Sequence, residues 1–147
     1  GKRVVLNPAP ATAIPARLLA ALDLITPNET EAEAITGIRI ADRRTADEAA
    51  RRLAATGAKQ VVITLGAQGA LVYEAGQSRI VEGYPVRAVD TTAAGDVFNG
   101  ALVVALAEGK PLEEAARFAC KAAAISVTHP GAQGSIPTRA EVEAFDR

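Results

Sequence analysis

Short apolar runs alternate along this chain with segments of helical periodicity, and this alternation constrains the fold more than any other feature. The run QVVITLG (60–66), for example, is strongly apolar and rich in β-branched residues, as a buried strand requires. The pattern predicts strands at 3–6, 23–26 and 60–66 and intervening helices at 15–22, 28–37 and 46–57. It therefore predicts an α/β fold, with a mainly parallel sheet between two helical layers in a three-layer α/β/α arrangement.

Capping signals mark several of the predicted helix ends. In three places an N-cap residue stands three positions before a glutamate, the pattern of a capping box: Asn28 with Glu31, Thr45 with Glu48, and Thr138 with Glu141. Pro15 suits a first helical position, and Gly37 suits a helix end. Further along, the sequence predicts a hairpin that turns at Gly76 and two long helices at about 96–108 and 112–128.

Composition excludes several classes of protein. A chain of 147 residues with net charge −1 and 49% apolar residues is typical of one soluble globular domain. No basic run indicates a nucleic-acid partner, and no stretch approaches the roughly 20 apolar residues of a membrane span. The single cysteine, Cys120, excludes a disulfide framework and a cysteine-based zinc site, which favours the cytoplasm. Because the chain opens at Gly1 almost directly on a predicted strand, we expect it to be the later part of a longer protein.

Polar and glycine-rich clusters follow the predicted strands, at the sheet edge where α/β proteins bind ligands. One of them is TLGAQG (64–69), in which Gly66 and Gly69 would let the backbone approach a phosphate and Thr64 supplies a hydroxyl. No Lys-Ser or Lys-Thr pair follows, so the segment is not a Walker P-loop. A tight turn between two strands explains it equally well.

The segment AAGD (93–96) carries a more specific signal. A helix that starts near Gly95 would direct unpaired N–H groups and the positive end of its dipole forward. The small side chains of Ala93, Ala94 and Gly95 leave that end open to an anion, such as a transferring phosphoryl group. Asp96 lies at the same end and is placed to accept a proton from an attacking hydroxyl. Capping alone would explain Asp96, but it does not explain three consecutive small residues.

Other oxygen donors lie near these clusters. Asn28 and Glu31 fit a capping box best, although their oxygens are also of the kind that Mg²⁺ takes beside nucleotide phosphates. Asp90 and Thr92 offer further oxygens, and the glycine-rich turn HPGAQGS (129–135) adds backbone carbonyls and the Ser135 hydroxyl. The one histidine, His129, precedes a proline and fits a structural helix end better than a catalytic base.

Taken together, these motifs resemble the C-terminal half of the ribokinase-like (pfkB) family of carbohydrate kinases, over essentially the whole chain. DTTAAGDVFNGAL (90–102) is similar to the family signature D-T-x-G-A-G-D, with Ala93 where the first glycine usually stands. Alanine suits that position only if its φ is negative. The segments 6–10, 26–37 and 131–137 are most similar to the members that phosphorylate ribose. Other sugar or nucleoside kinases of the family, and a non-catalytic nucleotide-binding module, remain alternatives.

The resemblance implies an ATP-dependent transfer to the 5-hydroxyl of D-ribose, with Asp96 as general base and the amides around Ala94 and Gly95 as the anion hole. It implies that Asn28 and Glu31 hold Mg²⁺ and the phosphates. The nucleotide site would be lined by Thr64, Gly66 and Gly69, with Cys120 near the adenine. An activating monovalent cation, normally K⁺, would be bound by Asp90, Thr92, Ser126, His129, Gly131 and Ser135.

The resemblance also implies what this chain does not contain. The sugar-binding residues and the β-stranded lid of the family lie mostly in the N-terminal half. Residues 1–147 would then be the nucleotide-binding and catalytic part of a ribokinase-like domain, incomplete relative to the family. We therefore expect little turnover from this chain alone, because phosphoryl transfer depends on positioning and on the exclusion of water. For the full-length protein the resemblance implies a homodimer.

Overall fold

The computed structural model describes residues 1–145. Its elements follow the predicted alternation of strands and helices. The strands are β1 (Val5–Leu6), β2 (Leu24–Ile25), β3 (Gln60–Thr64), β4 (Gly69–Glu74) and β5 (Gln77–Glu82). The helices are α1 (Ala16–Leu19), α2 (Glu29–Thr36), α3 (Arg43–Ala55), α4 (Ala94–Ala107), α5 (Leu112–Ser126) and α6 (Arg139–Ala144). Short 3₁₀ segments occupy Gly66–Gln68 and Gln133–Ser135.

The five strands form one mixed sheet in the order β1-β2-β3-β4-β5. Strands β1, β2 and β3 run parallel, whereas β4 is antiparallel to β3. The predicted hairpin between β4 and β5 is present. Its two loop residues, Ala75 and Gly76, both have positive φ (50° and 80°), as a tight two-residue hairpin turn requires.

The chain divides into two compact units. The first comprises Gly1–Leu65 with Ala70–Ile80, and the second comprises Gly66–Gly69 with Val81–Arg147. The core of the first unit forms where α3 meets the sheet. Ala46, Ala49, Ala50 and Leu53 recur at helical spacing and are fully buried, because they make up the apolar face of α3.

In the second unit the two long helices, α4 and α5, pack against each other. Val97 of α4, Ala122 of α5 and Val142 of α6 share a small buried cluster, which fixes the start of α4 against the other two helices. No helix in the described part of the chain combines the length and hydropathy that a membrane span requires.

Two predicted capping boxes are confirmed. Asn28 accepts a hydrogen bond from the Glu31 amide and donates its own amide to the Glu31 carboxylate, and α2 ends at the left-handed Gly37. Thr138 and Glu141 form the same arrangement at α6. These contacts are local, so the sequence pattern is sufficient to predict them.

The predicted box of Thr45 with Glu48 is wrong. Helix α3 begins three residues earlier than 46, with Asp42 as its N-cap. The Asp42 carboxylate accepts from the Thr45 amide at 2.8 Å, and the Thr45 hydroxyl accepts from the Asp42 amide at 3.0 Å. Thr45 is thus the third helical residue of the capping box and not its N-cap. Glu48 pairs with Arg44 on the helix surface.

Smaller differences concern other helix ends. Helix α1 has only four residues, and Pro15 is its N-cap, not its first helical residue, because its ψ of 136° is extended. Helix α4 begins at Ala94, two residues before the predicted start. Asp96 is therefore the third residue of the helix, and Ala93 occupies the cap position.

Candidate functional site

The start of α4 is an open helix end. Ala93, at the cap position, makes no side-chain hydrogen bond to the helix. The Ala94 amide donates to the Thr91 carbonyl at 3.2 Å and the Val97 amide to the Ala93 carbonyl at 2.9 Å. Within the described residues, the amides of Gly95 and Asp96 make no backbone hydrogen bond. Two N–H donors at the positive end of the helix dipole thus remain available to a ligand.

Space lies in front of these donors. A Cβ atom added to Gly95 would meet no heavy atom within 4 Å, and φ of Gly95 is not in the left-handed region. Neither packing nor backbone conformation therefore requires glycine at this position. An anion approaching the amides would use the space that a side chain would otherwise occupy.

Ala93 adopts a left-handed conformation, with φ 61° and ψ 10°. The sequence led us to expect alanine here only with a negative φ, and that expectation is wrong. The turn into α4 needs a residue in this region whether or not it is glycine. For a residue with a Cβ, the left-handed conformation costs roughly 1–2 kcal/mol. Ala93 is thus a point of backbone strain immediately before the open helix end.

Asp96 is exposed and belongs to the first turn of α4. It is the acidic group at the same helix end as the two free amides. It also lines an apolar groove beside α4. The arrangement places a carboxylate next to two free amides at a helix start, which is the pairing that phosphoryl transfer to an alcohol needs.

Asp90 fastens the loop that leads into α4. One carboxylate oxygen accepts from the Thr92 amide and the other from the Gly131 amide, both at 2.8 Å. Hydrogen bonds from the Thr92 hydroxyl and from the backbone amides of Gly131 and Thr92 lower the pKa of Asp90 to about 2. The amides of Val89 and Asp90 donate to the Val127 carbonyl, at 2.7 and 3.1 Å. The loop is thereby tied to the end of α5 and to the turn after it.

The other predicted cation ligands lie in or next to the same turn. The hydroxyls of Ser126 and Ser135 are buried and donate to the carbonyls of Ala123 and Ala132. His129 is exposed, with Nδ1 3.1 Å from the Thr128 hydroxyl. No cluster of three His, Cys, Asp or Glu side chains occurs among residues 1–145. A cation in this turn would therefore be held largely by backbone carbonyls, with hydroxyl and carboxylate oxygens beside them.

In the first unit, the structure brings together Asn28, Glu31 and Thr64. The two hydrogen bonds of the capping box between Asn28 and Glu31 are both 2.8 Å long. Thr64 pairs with Asn28 through an isolated parallel bridge, and its amide donates to the Pro27 carbonyl at 3.0 Å. The ends of β2 and β3 thus lie side by side, as predicted for the carboxyl edge of a parallel sheet.

The turn of Gly66 and Gly69, in the second unit, has a structural explanation. Gly66 has φ 57° and open space around it, whereas Gly69 has φ 101° and no room for a side chain. A Cβ at Gly69 would lie 2.0 Å from the Val81 carbonyl oxygen. Gly83, which the sequence reasoning missed, packs against the same turn and donates its amide to the Gln68 carbonyl. A glycine at the end of a predicted strand was the signal that could have found it.

Cys120 lies on α5 and is buried. Burial raises the pKa of its thiol to about 12, so the thiol stays protonated and unreactive at neutral pH. This agrees with a packing role in the second unit and gives the cysteine no chemistry of its own.

Comparison with known proteins gives a consistent picture. The model of the pfkB family carbohydrate kinases matches residues 1–139. A ribokinase of Haemophilus influenzae is 55% identical over 145 residues, which cover 99% of this chain and 47% of that protein. The chain thus spans about half the length of this relative.

Solved structures agree in fold as well as in sequence. A ribokinase of Thermotoga maritima has a TM-score of 0.88 at 46% identity, covering 97% of this chain and 48% of that one. The Arabidopsis thaliana ribokinase, solved in complex with ribose and ATP, has a TM-score of 0.92 at 36% identity, covering 98% and 48%. These neighbours confirm the predicted α/β fold class. The chain belongs to the pfkB family of carbohydrate kinases.

Proposed function

We propose that this chain is the nucleotide-binding and catalytic part of an ATP-dependent kinase that phosphorylates D-ribose on its 5-hydroxyl. The observation that carries the proposal is the start of α4, where Asp96 and two unpaired amides share one open helix end. Its relatives support the choice of substrate, since the Arabidopsis protein was solved with ribose and ATP. The D-ribose assignment rests on that likeness, and the chemistry rests on the geometry of α4.

In the proposed reaction, the Asp96 carboxylate accepts the proton of the sugar hydroxyl as the oxygen attacks the γ-phosphorus of ATP. The bond between that phosphorus and the β–γ bridging oxygen breaks, and ADP leaves with the bond's electron pair. The exposure of Asp96 supports this role, because an alcohol can reach its carboxylate. General-base assistance of this kind contributes about 10²–10⁴-fold to the rate.

Negative charge on the transferring group would be stabilised by the amides of Gly95 and Asp96. Their donors are fixed by the helix before the reaction begins, so no reorganisation is needed as charge develops. The open space at Gly95 supports the proposal, because it lets phosphoryl oxygens approach the backbone. Asp90 would act indirectly, as a positioning residue. By fastening the loop before α4, it holds these amides in place.

Mg²⁺ and K⁺ fit the residues that are present. The capping box of α2 uses Oε2 of Glu31 and leaves Oε1 outside the box, a carboxylate oxygen suited to a Mg²⁺ that keeps its waters and the nucleotide phosphates. The magnesium would neutralise phosphate charge. The carbonyls of the turn at 129–135, the Ser135 hydroxyl and the Asp90 carboxylate would supply oxygen donors, which suits K⁺. Thr64, Gly66 and Gly69 would line the nucleotide site, and Cys120 would lie near the adenine.

For the whole protein we propose a cytoplasmic homodimer. The single cysteine supports a reducing compartment. The dimer follows from the resemblance to the family, and its measurement is the molar mass of the full-length protein in solution.

The proposal is tested with a fusion that places the half of the Haemophilus influenzae relative not matched by this chain ahead of Gly1. We expect the fusion to phosphorylate ribose with ATP, and to prefer ribose over fructose and adenosine. Asp96→Asn should lower kcat by at least about 100-fold while the affinity for ATP changes little. Asp42→Asn is the matched control, because asparagine caps a helix as well as aspartate does.

Equal kcat values for the fusion and its Asp96→Asn variant would refute the general-base assignment and favour a nucleotide-binding module. A preference for fructose or adenosine would retain the chemistry and overturn the choice of sugar. The 147-residue chain alone should turn over slowly, since positioning and exclusion of water depend on elements outside it.

A further inference from the structure

Helix α4 carries only two polar side chains in fourteen residues, and both lie near its start. They are Asp96 and Asn99, the third and sixth residues of the helix. The proposed function uses Asp96 and leaves Asn99 unexplained. Asparagine is a poorer helix former than alanine or leucine, and its side chain favours caps and turns. Helix stability therefore does not account for an asparagine at this interior position of α4.

The Asn99 side chain is directed back towards the start of the helix. Its amide nitrogen, Nδ2, donates to the Gly95 carbonyl oxygen at 2.9 Å, one turn earlier. In an α-helix the same oxygen is the acceptor for the backbone N–H of Asn99. A carbonyl oxygen has two lone pairs, so it can accept both hydrogen bonds. The Gly95 carbonyl is thus held by the side chain as well as by the backbone of one residue.

This carbonyl belongs to the peptide group that carries one of the two free amides. The Gly95 carbonyl and the Asp96 N–H are parts of the same planar unit, so a bond that holds the carbonyl also fixes the direction of the N–H. The bond polarises that N–H as well, because hydrogen bonds in a chain strengthen one another. Glycine has the greatest backbone freedom of all residues, so the peptide group after Gly95 gains most from such a restraint.

We propose that Asn99 is a positioning residue for the phosphoryl transfer, because its side chain orients and polarises the Asp96 amide. The inference rests on the proposed function and deepens it, since it gives the two free amides unequal roles. The Asp96 amide is the stronger donor to the transferring phosphoryl group. The Gly95 amide belongs to the preceding peptide group and depends less on Asn99. In this role Asn99 acts through the peptide and need not touch the reacting atoms.

Turnover of the fusion described above tests this role. Asn99→Ala removes the side-chain donor and retains the helix, since alanine is the best helix former. We expect kcat to fall about tenfold, which is less than the roughly 10²–10³-fold that follows the loss of an oxyanion donor, because the Asp96 amide itself remains. The KM values for ribose and ATP should stay within about twofold, since the restraint acts mainly where charge develops in the transition state.

Two further variants separate positioning from a structural role. Asn99→Ser supplies a hydroxyl that can bond to the carbonyl four residues earlier, and it should recover most of the lost kcat. Thr36→Ala removes a side-chain bond of the same kind, from the Thr36 hydroxyl to the Ala32 carbonyl of α2, and should leave kcat within about twofold. Equal kcat values for Asn99→Ala and the unaltered fusion would overturn the proposal. An equal loss in Asn99→Ser or in Thr36→Ala would overturn it too.

A spectroscopic measurement tests the inference without catalysis. In the 147-residue chain, Asn99→Ala should move the ¹³C resonance of the Gly95 carbonyl upfield, because that oxygen loses a hydrogen bond. The ¹H resonance of the Asp96 amide should move upfield with it, and that of the Gly95 amide should move less. If the Gly95 carbonyl and Asp96 amide resonances stay in place, the inference is refuted even when the fusion phosphorylates ribose.

Failure of the proposed function would look different. Equal kcat values for the fusion and its Asp96→Asn variant, together with the expected movement of both resonances, would refute the general base alone. The Asp96 amide is present in both proteins, so its dependence on Asn99 would stand.

Discussion

The starts of α2 and α4 are two helix ends built in opposite ways. At α2, Asn28 and Glu31 satisfy each other's amides in a complete capping box. At α4, the cap position holds a strained alanine without a cap bond, and the amides of Gly95 and Asp96 are left free. The first end is closed by its own side chains, whereas the second is left open. We propose that the open end is the functional one, and side chains do cap the starts of three other helices.

After Asp96→Asn, the largest expected effect comes from closing the open end of α4 with one methyl group. Gly95→Ala in the fusion should lower kcat by about 10–100-fold, because the methyl group occupies the space through which the phosphoryl oxygens reach the amides. Thermal unfolding should show no loss of stability, since alanine is a better helix former than glycine. Gly100→Ala adds the same methyl group to another open position of α4 and should leave kcat within about twofold. Unchanged turnover in Gly95→Ala would refute the anion hole.

Removal of the cap at the start of α2 should lower the stability of the fold. Asn28→Ala removes the cap of α2 and should lower the free energy of unfolding by about 1 kcal/mol. Asn28→Asp keeps an N-cap acceptor and should lose much less. Denaturant titration of the 147-residue chain measures both. Equal stability of the wild type and Asn28→Ala would mean that the box contributes nothing, and the contrast between the two helix ends would then fail.

The hydrogen bonds that Asp90 accepts from Thr92 and Gly131 should make the stability of the fold depend on pH. The pKa of Asp90 is about 2 in the folded chain and 3.8 in its ordinary state, so the ionised carboxylate stabilises the fold above pH 3.8. This contribution is lost as the pH falls through that window towards 2. The difference in Tm between the wild type and Asp90→Asn should therefore shrink as the pH falls from 5 to about 2. If the Tm difference between the wild type and Asp90→Asn stayed constant with pH, the stabilising role of these hydrogen bonds would be contradicted.

The smallest effect should come from relieving the strain at Ala93. Ala93→Gly removes a left-handed penalty of roughly 1–2 kcal/mol and adds unfolded-state entropy of roughly 0.4–1 kcal/mol. We expect a net gain of about 0.5 kcal/mol in the free energy of unfolding. Ala75→Gly, at another left-handed alanine, should gain a similar amount. A loss of stability in Ala93→Gly would mean that the turn is not strained.

The sequence was sufficient for several features whose deciding contacts are local. The caps at Asn28 and Thr138 and the hairpin at Gly76 involve residues within a few positions of one another, and all three were predicted correctly. The prediction for Thr45 failed because two capping boxes that share this residue are possible. The stronger acceptor, Asp42, lies three positions before Thr45 and forms the box that is present. The family was recognisable from DTTAAGD, and the match over residues 1–139 confirms it.

Features that depend on distant parts of the chain were not predictable. The hydrogen bond from the Gly131 amide to the Asp90 carboxylate joins residues 41 positions apart, so no local sequence pattern predicts it. The sign of φ at Ala93 depends on how the fastened loop meets α4, and the sequence suggested the opposite sign. Gly83 is required because the 66–69 turn packs on it, which only the fold reveals.

The most direct test of the open helix end observes its amides themselves. In the fusion, addition of ADP, Mg²⁺ and aluminium fluoride, a mimic of the transferring phosphoryl group, should shift the ¹H–¹⁵N resonances of Gly95 and Asp96 strongly. The amide of Thr45, already bound in the box of α3, serves as the reference and should not move. Large shifts at Gly95 and Asp96 alone among these three are the predicted result. If the mimic binds while the Gly95 and Asp96 resonances stay in place, the start of α4 is not the anion site.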